Sequence, residues 1–195
     1  MNILIISGSI RTGRKSHDVA VELQKRFVSQ GLQDTHVLDL AVYTLPVLEE
    51  KYLPGNNYMP EGLTDIQQML DAADAMIFLS PEYHGSYTGA LKNAVDYFWK
   101  EFQRKPIGVV AVASGRMGGI NASSHMQQLI LSLGAFPMPY KLLIPTVQNA
   151  FDDSGLITDE LLSKSFDKFV SEYLWFAEAI ADRKAKEALT IKQKS

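Results

Sequence analysis

The sequence predicts an α/β domain, a doubly wound three-layer sandwich around a five-stranded parallel sheet. Three observations predict it. Short, continuously apolar runs of Ile, Leu and Val recur along the chain, as a sheet covered on both faces requires. Between them stand stretches whose apolar residues keep helical spacing. The 195 residues suffice for one sizeable core and are short for two.

Asn2 to Ile6 predicts the first strand, ended by the turn-forming Ser7-Gly8-Ser9. Ser16 to Gln30 predicts a helix through Ala20, Leu23 and Phe27, with Gly31 at its C-cap. The alternation repeats as strand Thr35 to Leu40, helix Leu63 to Ala73, strand Ala75 to Ser80 and helix Ala90 to Phe102. The last of these rests on Leu91, Val95, Phe98 and Phe102. Ile107 to Ala113 reads as a strand, Asn121 to Leu133 as a helix, and Tyr140 to Ile144 as a short final strand interrupted early by Pro137 and Pro139. Leu162, Phe166, Phe169, Tyr173, Phe176 and Ile180 line one face of a C-terminal helix, with Thr158 as its expected N-cap. Such alternation implies right-handed crossovers, and five strands match the flavodoxin-like order 2-1-3-4-5. The domain is expected to occupy 1–182. The remaining 183–195, with Arg183, Lys184, Lys186, Lys192 and Lys194, reads as a polar, solvated or frayed tail. The connection Ala41 to Gly62, carrying Pro46, Pro54, Gly55 and Pro60, is long enough to be functional or mobile.

Composition narrows the function. A net charge of −3 and a pI near 5.8 give no electrostatic footprint for nucleic acid. No apolar run reaches the roughly 20 residues of a membrane span, so no membrane is expected as a partner. With no cysteine, thiol catalysis and thiolate metal sites are excluded, a cytoplasmic location fits, and any redox chemistry needs a bound cofactor.

In doubly wound sheets ligands bind beyond the carboxyl ends of the strands, so the loops after strands one, three and four matter most. The first, Ser7-Gly8-Ser9-Ile10-Arg11-Thr12-Gly13-Arg14-Lys15-Ser16, sets hydroxyls, glycines and cations around a helix start, which favours an anion. It is no nucleotide P-loop, because Arg14 intervenes between Gly13 and Lys15-Ser16. It also lacks the middle glycine of a dinucleotide fingerprint. A single phosphate fits it, and so does a polar turn with an ordinary Ser16 cap. The second loop, Ser80 to Gly89, offers Tyr83, Tyr87 and exposed peptide groups to a planar ligand, or is a local turn with His84 on the surface. No Asp or His stands at metal-ligand spacing, so no metal is expected. The third loop, Ser114 to Asn121, is glycine-rich and admits close approach of a ring edge or phosphate.

In these motifs, over Met1 to about Ile180, the chain resembles the NADPH-dependent FMN reductase family, which includes quinone, chromate and azo-compound reductases. The resemblance implies that Ser9, Arg11 and Ser16 hold the FMN phosphate, with His17 close to a position where the family often has Asn. Pro81, Glu82, Tyr83, Gly85 and Ser86 match the loop that lies against the isoalloxazine, and His84 replaces its commoner Asn, as in the azobenzene reductase branch. Leu91, Lys92, Asn93, Ala94 and Asp96 match the following helix, where a structural role is the expectation. Ser114, Gly115, Arg116 and Gly118 match the loop at the flavin pyrimidine edge, where Arg116 faces flavin, nicotinamide cofactor or solvent. The implied activity is transfer of a hydride from NADPH or NADH through FMN to a small-molecule electron acceptor (quinone, azo compound, chromate or flavin) by a ping-pong mechanism. It needs no acid–base side chain. A homodimer or homotetramer is implied, with Ala41 to Gly62 and Tyr97, Phe98 and Trp99 as candidates for its interface. The rival readings are a flavodoxin-type electron carrier, against which the modest charge speaks, and a redox-inactive interaction protein on the same fold.

Overall fold

The computed structural model describes residues 1–49 and 60–192. Pro54 and Gly55 of the long connection and Lys194 of the tail lie outside the described residues. The strands are β1 (Ile3–Ser7), β2 (Thr35–Asp39), β3 (Ala75–Pro81), β4 (Pro106–Val112) and β5 (Phe136–Ile144). The helices are α1 (Ser16–Ser29), α2 (Leu63–Ala72), α3 (Gly89–Asp96), α4 (Ile120–Ser132) and α5 (Glu160–Lys192). All strand pairs are parallel, in the order β2-β1-β3-β4-β5 that the sequence predicts.

Side chains alternate across the sheet and divide the core in two. Leu4, Ile6, Met76 and Phe78 face α2, α3 and α4. Ile3, Ile5, Ile77 and Leu79 face α1 and α5, where Phe27, Phe166, Phe169 and Tyr173 pack. Both faces are buried, which is why β1, β3 and β4 read as unbroken apolar runs.

Most boundaries fall within a residue or two of the sequence reading, and the instructive differences are these. α3 ends at Asp96 instead of Phe102, and tight turns carry Phe98 and Phe102 into the core, with Phe98 N–H donating to Val95 O at 3.0 Å. β5 begins at Phe136 and runs through Pro137 and Pro139. As an edge strand it tolerates their missing donors, and its register shifts between Ile107 and Val109 of β4. The N-cap of α5 is Asp159, whose Oδ1 accepts from Leu161 N–H at 2.9 Å, while Thr158 Oγ1 donates to Asn149 O. The polar tail is helical as far as Lys192, and Glu187 in it pairs with Arg104 at 2.7 Å. No helix among the described residues is long and apolar enough to cross a membrane.

Candidate functional site

At the carboxyl end of the sheet, Gly8 carries the first loop across β3. Its N–H donates to Leu79 O at 2.8 Å, and a Cβ there would lie 2.9 Å from that oxygen and 3.0 Å from Leu91 Cβ. Thr88 locks the crossing: its Oγ1 donates to Gly8 O and accepts from Leu91 N–H at 3.1 Å, capping α3. The loop then reaches α1 with Ser9 and Ser16 both buried. Ser16 is not the cap. Lys15 is the N-cap and makes no side-chain capping bond, and Ser16 Oγ is buried without a hydrogen-bond partner. Among the described residues no acceptor meets the backbone N–H groups from Ser9 to Ser16. The first loop is therefore a run of unused donors that ends at a buried, unused hydroxyl.

Two cations near this loop are differently employed. The Arg14 guanidinium donates to the Asp39 carboxylate at the end of β2, and His17 Nδ1 lies 3.4 Å from the same oxygen. Arg11 sits 6.0 Å from the centre of the Tyr83 ring, and Tyr83 Oη lies 3.5 Å from Ser9 Oγ.

The second loop is a two-residue hairpin. Tyr83 and Ser86 exchange both backbone hydrogen bonds, at 2.8 and 3.1 Å, and His84 and Gly85 between them have φ of 50° and 77°. Positive φ at both central residues is the type I′ geometry that Asn-Gly adopts best. A histidine at position 84 is thus compatible with the backbone, since His is also enriched in the left-handed region. The hairpin is tied to α4 twice. Glu82 Oε2 accepts from Asn121 and Ala122 N–H at 3.0 and 3.1 Å, and Ser86 Oγ lies 3.1 Å from His125 Nδ1. Glu82 caps a helix whose own N-cap residue, Gly119, has no side chain to offer.

The third loop leans on a fifth-strand loop that the sequence reading did not consider. Thr146 N–H donates to Gly115 O at 3.2 Å, Val147 N–H to Ala113 O at 3.0 Å, and Gln148 Nε2 to Ser114 O at 3.4 Å. Their position after β5, at the same sheet end, is the signal that would have found Val147 and Gln148. Gly118, expected to approach a ligand, packs against its own chain. A Cβ there would lie 3.1 Å from Ile144 N and Leu143 Cβ.

These loops enclose a cleft of about 210 Å³. It brings together Ser9, Arg11, Ser16, Pro81, Glu82, Tyr83 and Ser114, with Thr12 to Lys15, Val112, Ala113, Val147 and Gln148 completing the lining. His17, His84, Gly85, Gly115, Arg116 and Gly118 do not line it. A second cavity, of about 390 Å³, lies across Ile10 against Tyr43, Leu45 and Ala90. There Asn93 is structural: its Nδ2 donates to Pro46 O at 2.7 Å, its Oδ1 accepts from Leu48 N–H at 2.9 Å, and Tyr97 Oη joins at Pro46 O. Lys92 pairs with Asp96 on the surface. Tyr97 and Phe98 are core residues, leaving Trp99 exposed.

A flavin phosphate offers acceptor oxygens, and the first loop offers unpaired N–H groups, the unpartnered Ser16 hydroxyl and the Arg11 cation, so the residues present fit FMN. Fold and cleft together define a flavodoxin-like protein with an anion cradle at the start of α1. The family model for NADPH-dependent FMN reductase matches residues 1–149, and the chain belongs to that family of FMN- and NAD(P)H-dependent oxidoreductases. It is 30% identical over 167 residues to an NAD(P)H-dependent FMN reductase of Pseudomonas aeruginosa, covering 82% of this chain and 86% of the relative. It is 31% identical over 171 residues to an FMN-dependent NADPH-azoreductase of Staphylococcus haemolyticus, covering 82% and 86%. In structure it is similar to FerB, a flavoenzyme NAD(P)H:(acceptor) oxidoreductase of Paracoccus denitrificans, with a TM-score of 0.75 at 23% identity over 91% of this chain and 97% of that one. A flavodoxin variant of Pseudomonas aeruginosa matches with a TM-score of 0.58 at 16% identity, covering 89% and 99%. These two structural likenesses bear on the fold alone.

Proposed function

We propose that the chain takes a hydride from NADPH or NADH and delivers two electrons to a small electron-deficient acceptor, a quinone, azo compound, chromate or flavin, with FMN held in this cleft. The observation that carries the reading is the buried, unpartnered Ser16 hydroxyl inside a loop of unpaired N–H groups. FMN, when bound, supplies the hydride chemistry between donor and acceptor.

The chain's own residues bind and orient. Ser9, Arg11 and Ser16, with the N–H groups between them, hold the phosphate. His17 joins from beside Asp39. Pro81, Glu82, Tyr83, His84 and Gly85 would supply the hairpin against the ring, and Ser114, Gly115, Arg116 and Gly118 the loop at its pyrimidine edge. Unpaired N–H groups of the second and third loops would stabilise negative charge on the bound flavin. No side chain acts as acid or base, and no metal takes part. One open cleft serving donor and acceptor in turn supports ping-pong kinetics. The 1–182 region is the reductase domain, 183–195 an appendage, and the working form a cytoplasmic homodimer or homotetramer with neither nucleic acid nor membrane as partner.

Ser16→Ala tests the reading. Its hydroxyl makes no bond within the chain, so the apo protein should keep its unfolding midpoint, while FMN affinity falls about tenfold or more through loss of a charge-assisted bond. An unchanged FMN affinity would sink the phosphate assignment. Anaerobic addition of NADPH and then NADH to the flavin-loaded protein should bleach its absorbance. Bound flavin that neither donor bleaches would identify an electron carrier instead.

A further inference from the structure

Among the described residues three that are not glycine have positive φ: His84, Arg104 and Thr146. Thr146 alone of these is β-branched, and it sits at φ 43°, ψ 45°, where the Cβ crowds the following carbonyl oxygen. Such strain persists only where the surroundings enforce it, and it concentrates at functional sites. Thr146 lies between β5 and a 3-10 turn, Val147–Asn149, directly beside the cleft.

The strained turn aims three donors at one loop. Thr146 N–H, Val147 N–H and the Gln148 side-chain amide engage the carbonyls of Gly115, Ala113 and Ser114 in succession. With those carbonyls occupied on the fifth-loop side, the N–H groups of Ser114, Gly115 and Arg116 are left without an acceptor among the described residues. A run of unpaired N–H groups with its carbonyls anchored elsewhere is a preorganised donor edge for a ligand rich in carbonyl oxygens and ring nitrogens.

We infer that Thr146 is a positioning residue for the flavin: its left-handed backbone clamps the third loop by its carbonyls and so fixes that loop's N–H groups toward the ring. This rests on the reading of the cleft as the FMN site. Among the described residues the Thr146 hydroxyl has no hydrogen-bond partner, so the conformation, not the hydroxyl, does the positioning. Gly at this position reaches the same φ without being confined to it, whereas Asn accepts the left-handed region and is held there more firmly than Gly.

The test is a pair of variants, Thr146→Gly and Thr146→Asn, read by FMN titration of the apo protein followed by flavin fluorescence, and by the apo unfolding midpoint. Both variants relieve strain, so both should unfold at or above the wild-type temperature. Thr146→Gly should nevertheless bind FMN about tenfold more weakly, because the loop must be ordered on binding, and Thr146→Asn should restore the affinity. A purely structural role would move stability and affinity down together, and that result overturns the inference. So does a Gly variant that binds FMN as tightly as wild type. Wild-type protein that binds no FMN would overturn the cofactor reading itself, and this inference with it.

Discussion

Tyr173 shows how far one side chain shapes this molecule. Its hydroxyl crosses the core of the α1/α5 face to donate to Met76 O at 2.7 Å, and burial pushes its phenol well above the usual range, keeping it a neutral donor. Phe169 stacks at 6.0 Å and Phe27 meets it edge-on at 5.6 Å. The space for the ring comes from Gly108, where a Cβ would lie 2.9 Å from Tyr173 Cδ2. Tyr173→Phe should therefore cost about 0.5–1.5 kcal/mol through loss of the bond to the Met76 carbonyl, and Gly108→Ala about 1–3 kcal/mol by overpacking, both measured as shifts in urea unfolding. The helical spacing of Phe166, Phe169 and Tyr173 is legible in the sequence. The need for a glycine at 108 is not, because it arises from a contact with a helix much later in the chain. The same holds at the cleft: Ser9, Arg11 and Ser16 announce themselves by residue type, whereas Val147 and Gln148 enter only through the position of their loop.

At the scale of elements, the hairpin after β3 and the start of α4 form one unit through Glu82. Removing the carboxylate in Glu82→Ala strands two N–H groups and should lower stability by about 1 kcal/mol in thermal unfolding, while Glu82→Gln, which keeps an acceptor oxygen, should recover part of it. Asn93 plays the corresponding part for the segment after β2, binding backbone groups of residues 45, 46 and 48. Asn93→Ala should make that segment exchange its amide hydrogens faster without unfolding the sheet, as hydrogen-exchange mass spectrometry would show. Strands β1, β3 and β4 were readable to within a residue or so because a strand buried on both faces must be apolar throughout. The end of α3 and the start of β5 were not. Phe98 and Phe102 keep a helical interval while leaving the helix, and Pro137 and Pro139 signal a break that an edge strand does not make.

At the scale of the whole molecule, the cleft is built by connections and element ends at one end of the sheet, so ligand binding should stabilise the chain without reorganising it. FMN at about one hundred times its dissociation constant should add about 2.7 kcal/mol, a rise of roughly 5–10 °C in unfolding midpoint. Riboflavin, lacking the phosphate that the first loop is proposed to hold, should raise it far less. The hairpin at His84 and Gly85 has a consequence for anyone who would diversify this protein. Because its backbone is left-handed at both corners, position 84 accepts a short alphabet, chiefly Gly, Asn, Asp and His. A saturation library at that codon will return those four among its folded clones and lose most β-branched ones. Chemical variety around this hairpin has then to be sought at neighbours such as Ser86 and His125, whose backbone carries no such restriction.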